Sequence, residues 1–248
     1  MIDCNIIASG SSGNAVILEK QILIDCGVPF KALQPFYKDL SLVLLTHVHS
    51  DHFNRATIRR LASERPTLRF GCCAWLVHEL FKCGVEAKQI DVYNPTPNMF
   101  YTYQHGNSVV KILPNFLLHD VPNVGYKVWF KRSETKYEKV FYATDCKRID
   151  YDAYDYDLYL IEGNYDEDEI DQRITDKALD GEFVYEIRAK ENHLSKQKAM
   201  NYILKNATEK SRYILMHQHN EKGANYSESS NTDGQADERS RDQEDNDR

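Results

Sequence analysis

The sequence lacks several features that would place it in well-known classes. No stretch approaches the ~18 apolar residues that a membrane-spanning helix needs. The chain opens with Met1-Ile2-Asp3-Cys4 and shows no basic and apolar leader before its first strand-like alternation. None of its six cysteines forms a Cys-x-x-Cys pair, which argues against a thiolate zinc site. These absences favour a cytoplasmic protein that makes no contact with a membrane.

The chain also lacks an excess of basic residues. Its net charge is -7, and the segment 220–248 is rich in acids and nearly free of apolar side chains. Residues 1–219 are therefore close to neutral and offer no basic stripe of the kind that binds long nucleic acids. We expect residues 1–219 to form one domain and residues 220–248 to be a disordered acidic tail.

A histidine-rich motif follows the apolar run 42–45. It reads Thr46-His47-Val48-His49-Ser50-Asp51-His52. Imidazole and carboxylate are the ligands that zinc and similar divalent metals prefer. In an extended segment the first two histidines point the same way and can share one metal, whereas the last two ligands would turn toward another. The motif therefore predicts two adjacent metals, and a solvated histidine-rich loop is the less favoured alternative.

Three further potential ligands stand at the ends of later apolar runs. His119 follows 116–118, Asp145 follows 140–144, and His217 follows 213–216. Each alone would be an ordinary polar residue at a strand terminus, but their recurrence favours one shared site. Asp145 is suited to bridge two cations, because a carboxylate can offer one oxygen to each.

Apolar alternation and turn residues predict a mixture of strands and helices. The predicted strands are 2–8, 15–19, 22–25, 42–45, 68–71, 88–93, 108–113, 115–119, 124–130, 138–143, 157–161 and 213–216. The predicted helices are 54–64, 74–82, 166–178 and 195–206. Strands and helices alternate in both halves of the chain, which indicates two sheets sandwiched between helices.

These residues resemble the ordered metal motifs of the metallo-β-lactamase superfamily. Further segments are similar to its WalJ/YycJ-like branch, which includes phage-encoded members: 9–14, 23–27, 119–120, 125–126, 160–164 and 193–195. The resemblance spans residues 1–219. It implies an α/β fold of the αββα sandwich type, with two mixed sheets flanked by helices and the metals at one edge.

The resemblance also implies roles for individual residues. One metal would be held by His47, His49 and His119, and the other by Asp51, His52 and His217, with Asp145 bridging the two. His193 matches a histidine that contacts the scissile phosphate or protonates the leaving group in related phosphodiesterases. Zinc suits these ligands best, with manganese and iron as alternatives.

Four other positions bear on this assignment. The branch often has a histidine after its Glu-x-Asn segment, where this chain has Tyr165. His219 is an alternative to His217 as a ligand, although the predicted strand ends at 216. His78 and His105 are expected to be structural or solvated.

The resemblance implies hydrolysis by a hydroxide that bridges the two metals and is oriented by Asp51. His193 favours a phosphodiesterase that acts on short single-stranded DNA or RNA, or on a cyclic nucleotide. Ser11 and Asn14 are candidate substrate contacts, because their loop supplies small side chains and backbone N–H groups. A carbon-centred hydrolase of thioesters or lactones and a non-enzymatic binding module are the alternatives. A homodimer is expected from the resemblance alone.

Overall fold

The computed structural model describes residues 1–180, 184–218 and 229–230. In it the first sheet has six strands: β1 (Cys4–Ala8), β2 (Ala15–Leu18), β3 (Ile22–Ile24), β4 (Leu42–Leu44), β5 (Arg69–Cys72) and β6 (Ile90–Val92). They lie side by side in chain order. Strands β1 to β3 are antiparallel neighbours, whereas β3 to β6 are parallel.

The second sheet has seven strands within the described residues: β7 (Tyr101–His105), β8 (Ser108–Leu117), β9 (Asn123–Lys131), β10 (Tyr137–Ala143), β11 (Leu158–Glu162), β12 (Arg212–Met216) and β13 (Ser229–Ser230). Their order is β13-β12-β11-β10-β9-β8-β7. Strands β7 to β10 are antiparallel neighbours, and β10, β11 and β12 are parallel. Strands β8, β10, β11 and β12 therefore all run in one direction and end at the same edge of the sheet.

Among the described residues six α-helices accompany the sheets: α1 (Phe30–Leu33), α2 (Arg55–Glu64), α3 (Ala74–Lys82), α4 (Glu167–Leu179), α5 (Glu186–Asn192) and α6 (Lys196–Asn206). Buried residues of α1, α2 and α3 join those of the first sheet in one apolar cluster. Helix α6 packs on β11 and β12 on the outer face of the second sheet. A third apolar cluster lies between the sheets. The fold is thus the expected αββα sandwich.

Strand β4 shows how the sequence produces these layers. Leu42 and Leu44 face the core between the sheets, whereas Val43 and Leu45 face the helices. Both faces are buried, so the strand is a continuous apolar run rather than an alternating one. The histidine-rich motif follows directly, at the carboxyl end of this buried strand.

Several elements differ from the sequence predictions. The predicted strands 108–113 and 115–119 are one strand, β8, which runs through Pro114. Strand β7 pairs with β8 only as far as Ile112. On the side of β8 that faces β7, Pro114 therefore has no strand partner to which a backbone N–H would have to donate. Helix α1, strand β7, helix α5 and the two-residue strand β13 were not predicted, because each is short. The predicted strand 88–93 is shorter, since a 3-10 turn occupies Ala87–Gln89 and β6 follows it.

The predicted acidic tail and His219 lie outside the described residues, apart from the two residues of β13, which pair antiparallel with β12. The division into a domain and a tail at residue 219 stays a prediction. No described helix has the length and apolar character that crossing a bilayer requires.

Candidate metal centre

Strand ends bring all seven predicted metal ligands to one edge of the paired sheets. The histidine-rich motif follows β4, and three strands of the second sheet are each followed within a few residues by His119, Asp145 or His217. Their nitrogen and oxygen atoms form two compact groups, each with its atoms within 4.8 Å of one another. We call His47, His49 and His119 the imidazole cluster, and Asp51, His52, Asp145 and His217 the carboxylate cluster.

Hydrogen bonds show which ring nitrogens of the imidazole cluster are engaged by the protein and which are left to bind a cation. The hydroxyl of Thr46 lies 2.9 Å from Nδ1 of His47, whose buried Nε2 has no partner. Nδ1 of His119 lies 3.3 Å from the main-chain oxygen of Asn192, to which it can donate. That bond leaves Nε2 of His119 facing Nδ1 of His49 at 3.3 Å. Three imidazole nitrogens therefore converge on one point.

Burial reinforces this arrangement at His47. Desolvation, and then the neighbouring charge of His52, lower the pKa of His47 well below its usual range. A lowered pKa favours the neutral imidazole, which is the form that binds a metal ion.

The carboxylate cluster is tighter. Nε2 of His52 lies 2.8 Å from Oδ2 of Asp145 and 3.6 Å from Oδ2 of Asp51. Nε2 of His217 lies 3.4 Å from the same oxygen of Asp51 and 3.6 Å from Oδ1 of Asp145. Oδ2 of Asp145 is buried and makes no hydrogen bond of normal geometry. Two imidazole nitrogens and two carboxylates thus converge on a second point.

The electrostatic field in this cluster favours positive charge. Burial alone would lower the pKa of His217, but the charge of Asp145 and the hydrogen bond to Asp51 raise it to about 10. The field that favours a proton on this imidazole also favours a divalent cation beside it.

A buried carboxylate, Asp25, fixes the orientation of His52, and the sequence analysis gave it no role. Its Oδ2 lies 2.7 Å from Nδ1 of His52 and accepts a hydrogen bond from the Tyr142 hydroxyl at 3.0 Å. Its Oδ1 accepts from the main chain and hydroxyl of Thr46 at 3.0 and 2.9 Å. Asp25 therefore holds Nδ1 of His52 protonated and leaves Nε2 for the metal.

A second buried carboxylate, Glu162, serves the other side of the site. Its Oε1 lies 2.6 Å from Nδ1 of His193 and 3.2 Å from Nδ1 of His217. Its Oε2 accepts from the main-chain N–H of Cys146 and of Leu194. Asp25 and Glu162 both follow short apolar runs. The same sequence pattern that predicted the metal ligands, a polar residue directly after an apolar run, was therefore present for them too.

Three residues of the site have a positive φ, which costs about 1–3 kcal/mol for a residue other than glycine. The φ angles are 59° at Asp25, 55° at Asp145 and 50° at His217. Side-chain amides hold two of them: Asn123 donates to the main-chain oxygen of Asp145 at 2.7 Å, and Asn164 to that of His217 at 2.9 Å. Strained residues clustered in this way are typical of functional sites.

The two candidate substrate contacts in the loop 9–14 have different positions. Ser11 is exposed and lines the cavity beside the ligands. Asn14 is fully buried, and its main-chain and side-chain N–H groups donate to the main-chain oxygen of Asp51 at 2.6 and 3.3 Å. Gly27 packs on the same peptide, where a Cβ would lie 1.6 Å from that oxygen. Asn14 therefore positions Asp51, and its role as a substrate contact stays a prediction.

A cavity of about 370 Å³ opens onto the two clusters. Five of the seven ligands line it, together with Ser11 and His193. Burial lowers the pKa of His193, but the hydrogen bond and charge of Glu162 outweigh it and raise the pKa above its usual value. His193 is thus held beside the ligands with Nε2 as its unpaired ring atom.

Among the described residues, His78, His105 and Tyr165 lie outside the candidate site. His78 and His105 are exposed, as expected. Tyr165 is buried and forms an isolated bridge to Ser195, which caps helix α6. It does not line the cavity and takes no part in the ligand clusters among the described residues.

The donor set fits two divalent metals. Each cluster offers three or four nitrogen and oxygen atoms, and each contains a buried atom without a hydrogen-bond partner, Nε2 of His47 and Oδ2 of Asp145. Buried polar atoms of this kind are costly unless a ligand satisfies them. Imidazole with carboxylate suits zinc, manganese or iron, and the geometry does not choose among them.

Comparison with known sequences places the chain in a family. The model of the beta-lactamase superfamily domain matches residues 20–218. Exodeoxyribonuclease YycJ of Bacillus anthracis is 40% identical over 58 residues, which cover 19% of this chain and 22% of that protein. Exodeoxyribonuclease WalJ of Streptococcus pneumoniae is 40% identical over 60 residues, 20% of this chain and 22% of that protein. The aligned stretches therefore span about a fifth of each relative's length.

Two solved structures share the fold. The metallo-beta-lactamase fold protein YhfI from Bacillus subtilis has a TM-score of 0.60 and 15% identity, over 88% of this chain and 86% of that one. A diphosphatase from the PhnP family has a TM-score of 0.54 and 15% identity, over 88% and 87% of the two chains. The family model covers most of the chain and the fold agrees with it, so this chain belongs to the metallo-β-lactamase superfamily and resembles its WalJ/YycJ-like branch.

Proposed function

We propose that this protein is a metal-dependent phosphodiesterase that acts on short single-stranded nucleic acid or on a nucleotide, cyclic nucleotides included. The observation that carries the proposal is the position of His193. It lines the cavity next to both ligand clusters, and the buried carboxylate of Glu162 holds its Nδ1 at 2.6 Å. An imidazole held in this way, outside both predicted ligand sets, is suited to donate a proton to a leaving oxygen.

The two clusters would each hold one divalent cation, with Asp145 shared between them. When bound, such cations make a hydrolytic water more acidic and neutralise charge on substrate oxygens. Zinc is the metal that we propose first, because histidine and aspartate are its usual ligands.

The protein's own residues supply the rest of the chemistry. Asp51 lines the cavity, where its carboxylate can orient the attacking water and accept a proton. The main-chain N–H of Asn14 donates to the carbonyl oxygen of Asp51, and Gly27 packs against the same peptide, so both keep Asp51 in position. Glu162 binds Nδ1 of His193, so Nε2 is the atom that transfers a proton to the departing oxygen.

The relatives support the same substrate class. Two of them are named as exodeoxyribonucleases and one structural neighbour as a diphosphatase. All three names refer to phosphate chemistry, which favours a phosphoryl substrate over a thioester or lactone. The near-neutral body of the chain favours a short strand or a nucleotide over a long duplex. The cytoplasmic location and the homodimer stay predictions.

The test uses the role of His193 as a proton donor. The variant His193→Gln is compared with the wild-type protein on two phosphodiesters, a dinucleotide and bis-p-nitrophenyl phosphate. A sugar alkoxide needs a proton to leave, whereas p-nitrophenolate leaves without one. We therefore expect roughly a hundredfold loss of kcat on the dinucleotide and a much smaller loss on the nitrophenyl ester.

The exposed His78 provides the matched control, since His78→Gln removes an imidazole far from the cavity. Bound metal is quantified in every sample. Efficient thioester or lactone hydrolysis by the wild-type protein, with no effect of His193→Gln, would show that the substrate is carbon-centred. A wild-type protein with two bound metals that cleaves no phosphodiester would also overturn the proposal.

A further inference from the structure

Helix α5 forms one wall of the cavity. The cavity is lined by Tyr185, which precedes the helix, and by Arg188, Ala189 and Asn192 within it. The spacing of three and four residues from Asn192 to Ala189 and Arg188 places these three on one face of the helix. The wall is tied to the metal centre, because the main-chain oxygen of Asn192 lies 3.3 Å from Nδ1 of His119. Groups on this face are therefore fixed relative to the imidazole cluster.

Arg188 is the only lysine or arginine among the described residues that line the cavity. Its Nη2 lies 3.0 Å from Oδ2 of Asp120, and its side chain is 76% exposed. The other oxygen of Asp120 lies 3.4 Å from Nε2 of His49 and 3.2 Å from Nε2 of His119. One carboxylate therefore separates the guanidinium from the imidazole cluster.

Asp120 gives this arginine a defined position. Nδ1 of His49 faces the imidazole cluster, so its Nε2 lies toward Asp120, 3.4 Å from Oδ1, and the second oxygen of Asp120 accepts from Arg188. The guanidinium has five N–H donors in a planar fork, and the bond to Asp120 uses one of them. Arg188 can thus keep this bond while it binds an anion in the cavity.

We propose that Arg188 binds a substrate phosphate adjacent to the one that is cleaved. This inference rests on the proposed phosphodiesterase function and narrows its substrate to one that carries a second phosphate. The scissile group must lie within reach of His193 and both clusters, whereas Arg188 stands beyond Asp120, at the edge of the imidazole cluster. A guanidinium matches a phosphate with two parallel hydrogen bonds, and a thioester or lactone would give it no partner.

The competing explanation is that the Arg188–Asp120 ion pair has only a structural role and holds α5 against the loop after β8. The two explanations differ in what they predict for substrates. A structural tie would affect all substrates equally, whereas a phosphate-binding residue would affect only those with a second phosphate.

The experiment compares three dinucleotides that share one scissile diester. One has no terminal phosphate, one has a 5′-phosphate and one has a 3′-phosphate. We expect the wild-type metal-loaded enzyme to show a lower KM for one of the two phosphorylated forms. Arg188→Gln should raise that KM by roughly tenfold and abolish the preference, because a hydrogen bond to a charged group is lost.

Two further variants sharpen the test. Arg188→Lys should keep part of the preference, because it retains the charge but not the planar fork. Lys190→Gln is the matched control: Lys190 lies on the same helix, pairs with Asp171 and does not line the cavity. It should keep the full preference, and metal content and Tm are measured for each variant.

The outcomes separate the two proposals. An enzyme that cleaves all three dinucleotides with equal KM would overturn the role of Arg188 while the phosphodiesterase function stands. An equal loss of kcat on all three in Arg188→Gln would show that the pair is a structural tie. A wild-type protein that cleaves neither dinucleotides nor bis-p-nitrophenyl phosphate would overturn both proposals.

Discussion

The two halves of the metal centre differ in what holds their ligands. The imidazole cluster depends on the hydroxyl of Thr46, the main-chain oxygen of Asn192 and the carboxylate of Asp120, which is 27% exposed. The carboxylate cluster is supported by Asp25 and Glu162, whose side chains are fully buried. One half thus relies on neutral or solvated partners and the other on buried charge.

This difference has an energetic consequence. A carboxylate in a low-dielectric interior interacts strongly with the imidazole that it contacts, whereas an exposed carboxylate is screened by water and salt. We infer that the carboxylate cluster is the more rigid half and that its metal depends more on its supporting residues. The imidazole cluster is then the half that is held less rigidly.

The largest effect is expected for Asp145→Ala. Asp145 is a member of the carboxylate cluster, and its charge also acts on His47 and His119 of the imidazole cluster. Its loss should remove metal from the carboxylate cluster and weaken metal binding in the imidazole cluster. The fall in activity should exceed the roughly 100-fold that the loss of an outer-shell partner costs. Metal content by mass spectrometry and turnover of bis-p-nitrophenyl phosphate measure both effects.

The control is Asp150→Ala, which removes an exposed carboxylate that pairs with Arg148 at the surface. It should retain two metals and full activity. Two tightly bound metals in Asp145→Ala would mean that the halves do not share this carboxylate.

The next largest effect is expected for Asp25→Asn. The amide keeps the shape of the side chain but removes the charge that holds Nδ1 of His52 protonated. Metal affinity should fall by roughly 10- to 100-fold. Competition with a chelator measures the affinity, and thermal unfolding of the metal-loaded protein shows whether the fold is retained. If the metal affinity of Asp25→Asn equals that of the wild type, buried charge is not what distinguishes the carboxylate cluster from the imidazole cluster.

The meeting of the candidate ligands at one place was predictable from the sequence, because they follow apolar strands. His47, His119, Asp145 and His217 carry the same local signal, and parallel strand ends must meet at one edge of a sheet. The αββα layers followed from the same pattern. The local sequence was sufficient here, because a residue that follows the carboxyl end of a parallel strand must lie at that edge of its sheet.

The supporting residues were not predictable in the same way. Asp25 and Glu162 also follow apolar runs, but nothing local distinguishes a carboxylate that binds metal from one that orients a histidine. Arg188 lies in a short, charged helix without apolar periodicity. Its relation to Asp120 joins residues 68 positions apart, and only the packed structure shows it.

The smallest effect is expected for Asp120→Asn, the counterpart of Asp25→Asn in the imidazole cluster. Because Asp120 is partly exposed, its electrostatic contact with His49 is screened, and metal affinity should fall by no more than roughly tenfold, the low end of outer-shell effects. Salt provides the decisive comparison. Added salt should reduce the difference between Asp120→Asn and wild type, because exposed charges are screened, and leave the effect of the buried Asp25→Asn unchanged. Equal losses in the two variants, with equal salt dependence, would contradict the inferred difference between the halves.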